Sequence, residues 1–141
     1  MLATISWFAP RGALAQVQAP NPTGFQEVAA ALTIDPGVTC LDSRELVEHV
    51  SSWLGTNRLA APLAIEVYGS PYFARTVWFR IRRGNAILAE RHFDPAPERC
   101  PDLHAAVGLA IALALKASLL DSLIGARTSG DAHASRPFRI L

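Results

Sequence analysis

Two cysteines are all that the chain of 141 residues contains, so it has no thiolate set for a four-cysteine zinc site or an iron–sulfur cluster. Charge is also scarce. Only 18% of residues are charged, and 13 basic against 12 acidic side chains leave a net charge of +1. A chain so near neutrality has no overall attraction for nucleic acid or for an acidic membrane surface. The G-x-S-x-G elbow of serine hydrolases is missing around Ser43, Ser51, Ser52, Ser70 and Ser118. There is no glycine-rich phosphate loop either, which leaves catalytic readings without a motif. No internal repeat is visible.

What is present is apolar. Half of the residues are hydrophobic, too many for a disordered chain, and the length suits one domain. Cys40 to Ile124 carries the clearest pattern. Asp42 reads as an N-cap, with Glu45 as its capping-box partner and Leu41 and Leu46 as a hydrophobic staple. The spacing of Leu46, Val47, Val50, Trp53 and Leu54 predicts a helix over 43–54 with one buried face, stopped by Gly55.

Alternating segments at 63–68, 76–82 and 86–93 predict three antiparallel strands in a meander. Parity favours a three-residue loop of Arg83, Gly84 and Asn85, which pairs Phe79 with Ala89 and Ile81 with Ile87 and keeps the apolar face continuous. Ile87, Ala89 and Phe93 then point inward, and Glu66, Arg80 and Glu90 lie outside, placed for cross-strand charge pairs.

A last helix opens at Cys100-Pro101-Asp102, runs to Ile124 and is expected to stop at Gly125. Its large side chains occupy most of its circumference, which predicts burial on nearly all sides. Lys116 and Asp121 interrupt the apolar run before the roughly 20 residues that a span requires, so no transmembrane helix is expected. The expected fold is α+β: helix, three-stranded antiparallel meander and long buried helix, with both helices on one face of the sheet.

The flanks have a different character. Residues 1–24 combine an apolar start with Ala13-Leu14-Ala15, a form that signal peptidase accepts, and so read as a signal-like segment and linker. No positive charge precedes the apolar run, and Arg11 interrupts it. Phe25 to Ile34 is open between helix and strand. The single domain is placed at 25–125 with its core at 40–124. Residues 126–141 read as a linker followed by Phe138-Arg139-Ile140-Leu141, the start of a strand belonging to a further region.

Topology bears on the cysteines. If the first helix runs up, three meander strands run down, up and down, and the last helix runs up again. Both helix N-termini then share one end of the domain, which brings Cys40 and Cys100 together as a candidate disulfide. Such a bond persists in oxidising compartments and agrees with the export-like start. Two buried free thiols are the alternative.

His92, Asp94, Asp102 and His104 form the densest group of metal-capable side chains, and a small metal-dependent hydrolase using His92, Asp94 and His104 is the rival functional reading. Against it, His92 has the outward parity of its strand, Asp102 suits the helix dipole and His104 is expected at a polar edge. The outer sheet face carries Tyr68, Trp78, Arg80, Leu88 and His92, a composition typical of protein interface cores. Cover by Phe25 to Ile34 is the structural alternative for that patch. Glu66 and Glu90 offset Arg80, Arg82 and Arg83, so nucleic acid is not expected as a partner.

Cys40-Leu41-Asp42, Trp53-Leu54-Gly55, Glu90-Arg91-x-Phe93-x-Pro95-x-Pro97-x-x-Cys100 and the run from Asp102 to Ala114 together resemble the N-terminal domain of a group of uncharacterised exported proteins of the bacterial envelope. The resemblance covers Cys40 to Ile124 and implies no activity. The layout also resembles the periplasmic C-terminal domains of the TolA and TonB type, by analogy of arrangement alone. The expectation is a non-catalytic, exported interaction or structural module, periplasmic or secreted, with no metal or cofactor. It would meet an envelope protein through the outer sheet face; its oligomeric state stays open.

Overall fold

The computed structural model describes residues 24–131 except Pro71 and Ala74. The cleavage-like motif and the terminal Phe138–Leu141 segment lie outside the described residues. Nine elements follow in order: β1 (Gln26–Glu27), α1 (Val28–Ala31), β2 (Leu32–Ile34), α2 (Ser43–Leu54), β3 (Arg58–Leu59), β4 (Ala64–Gly69), β5 (Val77–Arg83), β6 (Ala86–Phe93) and α3 (Cys100–Asp131). The fold is α+β as expected, with the long helix last.

The segment left open between helix and strand is both. Ala-rich Val28–Ala31 makes one helical turn, and Leu32-Thr33-Ile34 then extends as β2. β2 pairs parallel with β4, Leu32 opposite Ile65 and Ile34 opposite Val67. The meander is thereby extended to a four-stranded mixed sheet of order β2-β4-β5-β6, with α2 as the crossover that a parallel pair needs. This moves the start of the core from Cys40 back to Val28, which is fully buried. β2 lies beside β4 at the sheet edge and does not cover the outer face.

The hairpin between β5 and β6 departs from the expected register. Arg83 faces Ala86 across a two-residue turn in which Gly84 has φ +55°, and a bulge between Ile81 and Arg82 then shifts the ladder, so that Ile81 faces Ala89 and Phe79 faces Arg91. The bulge restores by an inserted residue the parity that a three-residue loop would have supplied. Leu88 is that residue. Its side chain packs against the core, and Ile87, expected inside, is exposed.

Helix α2 forms where its punctuation predicts. The Asp42 carboxylate accepts from the Glu45 N–H at 3.0 Å, and Gly55 at φ +77° donates its N–H to the Ser51 carbonyl at 2.9 Å. Leu46 and Val50 are fully buried, and Val47 and Leu54 pack beside them; Trp53, at the margin of that stripe, is exposed.

Helix α3 runs beside α2 in the same direction. Its contacts with α2 pair residues 60 apart at Cys40–Cys100, 62 apart at Asp42–His104 and 63 apart at Trp53–Lys116, a nearly constant offset that only parallel helices give. Lys116 donates to the Trp53 carbonyl at 2.8 Å. A cation thus sits at the end of α2 where backbone carbonyls are unpaired.

Along α3, Leu103, Val107, Ile111 and Leu115 are buried against Ile65, Val67, Phe79 and Ile81 of the sheet. Burial on nearly all sides does not hold, since Leu113, Leu119, Leu120, Leu123 and Ile124 are exposed. The helix also continues through Gly125 to Asp131; a glycine costs a helix interior only about 1 kcal/mol, and two good helix formers, Ala126 and Arg127, follow it. By length and composition, Cys100–Gly125 is apolar enough to cross a membrane, at a mean hydropathy of 1.9 over its most apolar stretch.

The close approach of the two helices is made at Gly108. A Cβ there would lie 2.6 Å from the His49 Cβ, a contact that could be relieved only by pushing the helices apart. Gly108→Ala is expected to lower unfolding stability by about 1–3 kcal/mol despite its better helix propensity. Gly125→Ala, whose Cβ would meet nothing within 4 Å, is expected to leave stability unchanged or raise it by up to about 1 kcal/mol. Urea unfolding followed by circular dichroism distinguishes the two.

Candidate functional site: the outer sheet face

Strand alternation places Glu66 and Tyr68 of β4, Trp78, Arg80 and Arg82 of β5, and Glu90 and His92 of β6 on the side of the sheet away from both helices. The register sets Tyr68 beside Trp78, Trp78 beside His92, and Arg80 between Glu66 and Glu90. The rings form a row: Tyr68 and Trp78 have centroids 6.4 Å apart and nearly parallel planes at 6°, and Trp78 and His92 are 4.7 Å apart and tilted at 30°. The Arg80 guanidinium carbon lies 5.7 Å from the Tyr68 ring centroid, a cation–π arrangement.

The charges are paired across strands. Arg80 Nε donates to Glu90 Oε2 at 2.6 Å, and Arg82 forms an ion pair with Glu66. Tyr68 joins the first pair, its hydroxyl donating to Glu90 Oε2 and accepting from Arg80 Nη2, both at 3.4 Å. Burial pushes the Tyr68 phenol up from its ordinary value, and Glu90 and Glu66 push the same way; Arg80 opposes them. The hydrogen bond to Glu90 holds Arg80 protonated more firmly than an ordinary arginine. Each arginine is matched by a glutamate, so the face alternates in sign.

Of the residues expected on this face, Tyr68, Trp78, Arg80 and His92 come together. Leu88 does not join them, because the bulge turns it toward the core. The residues of the hydrolase reading are not assembled. His92 is held against Trp78, and His104, expected at a polar edge, is instead buried between the helix starts, where the Asp42 N–H and the Cys100 carbonyl engage its ring. Among the described residues, no group of three or more His, Cys, Asp or Glu side chains could hold a metal ion.

The end of the domain below the sheet is fastened by a clasp. Cys40 and Cys100 form a disulfide with their Cα atoms 5.3 Å apart, at the position where the topology brings the helix starts together. Beside it, His104 Nε2 accepts from the Asp42 backbone N–H at 2.8 Å. Nδ1, which carries the proton in this arrangement, lies 2.8 Å from the Cys100 carbonyl and 3.3 Å from Glu45 Oε2. Sequence reasoning missed this role. It assigned the Asp42 N–H to a reciprocal bond from Glu45, whereas His104, 62 residues away in the chain, takes it. No local pattern could have signalled a partner so distant.

A cleft of 610 Å³ opens at the same end, between the loop at Gly37–Cys40, the β4–β5 turn and Ala96–Glu98. Thr76 lines it with a buried hydroxyl that has no hydrogen-bond partner among the described residues. Beside it the Ser70 Oγ accepts from the N–H groups of Tyr72 and Phe73, whose rings are exposed.

Comparison with protein-family models, with curated proteins and with solved structures finds no match to this chain.

Two outcomes are expected from this geometry. Replacing His104 with Phe keeps the ring but strands the Asp42 N–H, and should cost about 1–3 kcal/mol in denaturant unfolding. The raised Tyr68 value means that the unfolded chain releases the phenolic proton first. Stability should therefore fall as pH rises above about 10. Tyr68→Phe should remove that component of the alkaline loss, read as unfolding midpoints at pH 9 to 11 (on the order of the ordinary tyrosine value).

Proposed function

We propose that this chain is a non-catalytic, exported interaction or structural module of the bacterial cell envelope, periplasmic or secreted, which meets a protein partner through Tyr68, Trp78, Arg80 and His92. The observation that carries the reading is the row of neighbouring aromatic rings, Tyr68 stacked on Trp78 and His92 tilted against it, with its ion-paired arginine on a sheet face that no described segment covers. Aromatic rings and arginine are the side chains that dominate binding energy at protein interfaces. Here their rotamers are already held by stacking and by the Glu90 bridge, which lowers the entropy cost of docking.

The sheet edge supports the face over strand addition. Among the described residues β6 has a free edge, but it carries the bulge at Leu88 and the polar run Glu90-Arg91-His92, devices that discourage an added strand. The disulfide supports an oxidising compartment. A four-cysteine metal role is excluded by composition, and both cysteines are spent on each other.

Fractionation and mass measurement test the compartment. Chain recovered from the envelope fraction should have the mass of the oxidised form, lower by two thiol hydrogens than the reduced chain; a reduced chain confined to the cytoplasm would refute the proposal. For the face, Trp78→Ala and Arg80→Ala should each weaken capture of the envelope partner by about tenfold or more, the loss expected at an interface hot spot. Thermal midpoints should stay near the parent value. Equal capture by the parent and both variants would remove the face from the binding reading.

A further inference from the structure

Helix α3 outlasts the domain that it packs on. Its core-facing side chains end at Leu115, yet the helix continues to Asp131. On the side away from the core, Leu113, Ala117, Leu120 and Ile124 follow one another at intervals of four, three and four residues. That is the spacing of alternating d and a positions in a heptad repeat. All four are exposed, the three large ones at 57%, 60% and 61%. A stripe of this kind on a soluble surface marks a contact.

The charges flanking the stripe say what fits it. With Leu113 and Leu120 at d and Ala117 and Ile124 at a, Lys116 falls at g and Asp121 at the following e. In a parallel two-stranded coil, g of one helix meets the next e of its partner, so a second copy would set Lys116 against Asp121 twice about the two-fold axis. In an antiparallel pair, g faces g and e faces e, and the two charges would not meet. Both side chains are exposed. Lys116 has three N–H donors and uses one on the Trp53 carbonyl. Among the described residues, Asp121 takes part in none of the ion pairs. Ile at a with Leu at d is the combination that favours two strands.

We infer that the chain forms a parallel homodimer through the C-terminal half of α3, with Leu113, Ala117, Leu120 and Ile124 as the seam and reciprocal Lys116–Asp121 pairs at its flanks. The outer sheet face lies across the sheet from α3, so each protomer keeps its aromatic row free, and the dimer presents two of them.

Sedimentation equilibrium on the full chain, over micromolar to hundred-micromolar loading, tests the inference. The expected species has twice the chain mass. Leu120→Glu should raise the dissociation constant by at least about a hundredfold, since it removes a buried leucine from each helix. Asp121→Lys, which sets like charges together without touching the seam, should weaken association in a manner relieved by salt. Far-UV circular dichroism verifies that each variant retains the fold. Orientation is read from Ile124→Cys, which should oxidise to a covalent dimer through its own counterpart. A chain that stays monomeric at the highest loading overturns the inference. So does a dimer indifferent to both substitutions, or a monomer that instead floats with vesicles of phosphatidylethanolamine and phosphatidylglycerol.

Discussion

The parallel pairing of α2 with α3 is the constraint on which the remaining structure depends. Parallel helices align their dipoles unfavourably, and they place both sets of unpaired N–H groups at one end and both sets of carbonyls at the other. Each end is answered chemically. At the starts, the disulfide and the His104 ring tie the helices together, and the Asp42 carboxylate caps α2. At the far end of α2, Lys116 returns a positive charge to the carbonyl of Trp53. Between them, Gly108 lets the backbones approach. The disulfide fixes which ends meet, and in the chain-entropy model a closed loop of this length contributes about 4 kcal/mol.

From that pairing the sheet acquires its two characters. One face is filled by Ile65, Val67, Phe79 and Ile81 under the helices. The other is covered by no described segment and is organised by its own side chains, with the Arg80–Glu90 bridge linking β5 to β6 and the Tyr68–Trp78–His92 row crossing three strands. Exposed ion pairs contribute little to stability. Their consequence here is geometric, since they hold large rings in fixed orientations.

What could be read from sequence was whatever a short window determines. The cap and stop of α2, the alternation of β4, β5 and β6, and the shared end of the two helix starts all follow from local punctuation and parity. What escaped was decided by partners distant in the chain. The parallel pairing of β2 with β4 needs a strand too short to announce itself. The bulge at Leu88 satisfies the same parity as a longer loop, so alternation alone could not choose between them. The Asp42 N–H has a local candidate in Glu45 and a better one in His104, which only the helix pairing brings near. The candidate face was legible except at Leu88, and that exception has the same cause as the register shift.

Much of the apolar composition of α3 is explained once its two sides are separated, although Leu119 and Leu123 belong to neither. Leu103, Val107, Ile111 and Leu115 serve the core, and the domain has no described element left to cover the opposite stripe beyond Leu113. Lys116 and Asp121, which broke the apolar run, lie on the two flanks of that stripe rather than within it. A helix meant only for the core would have no reason to keep leucine and isoleucine at a and d spacing on its solvent side. The arrangement has a physical use when a second such helix runs alongside in the same direction.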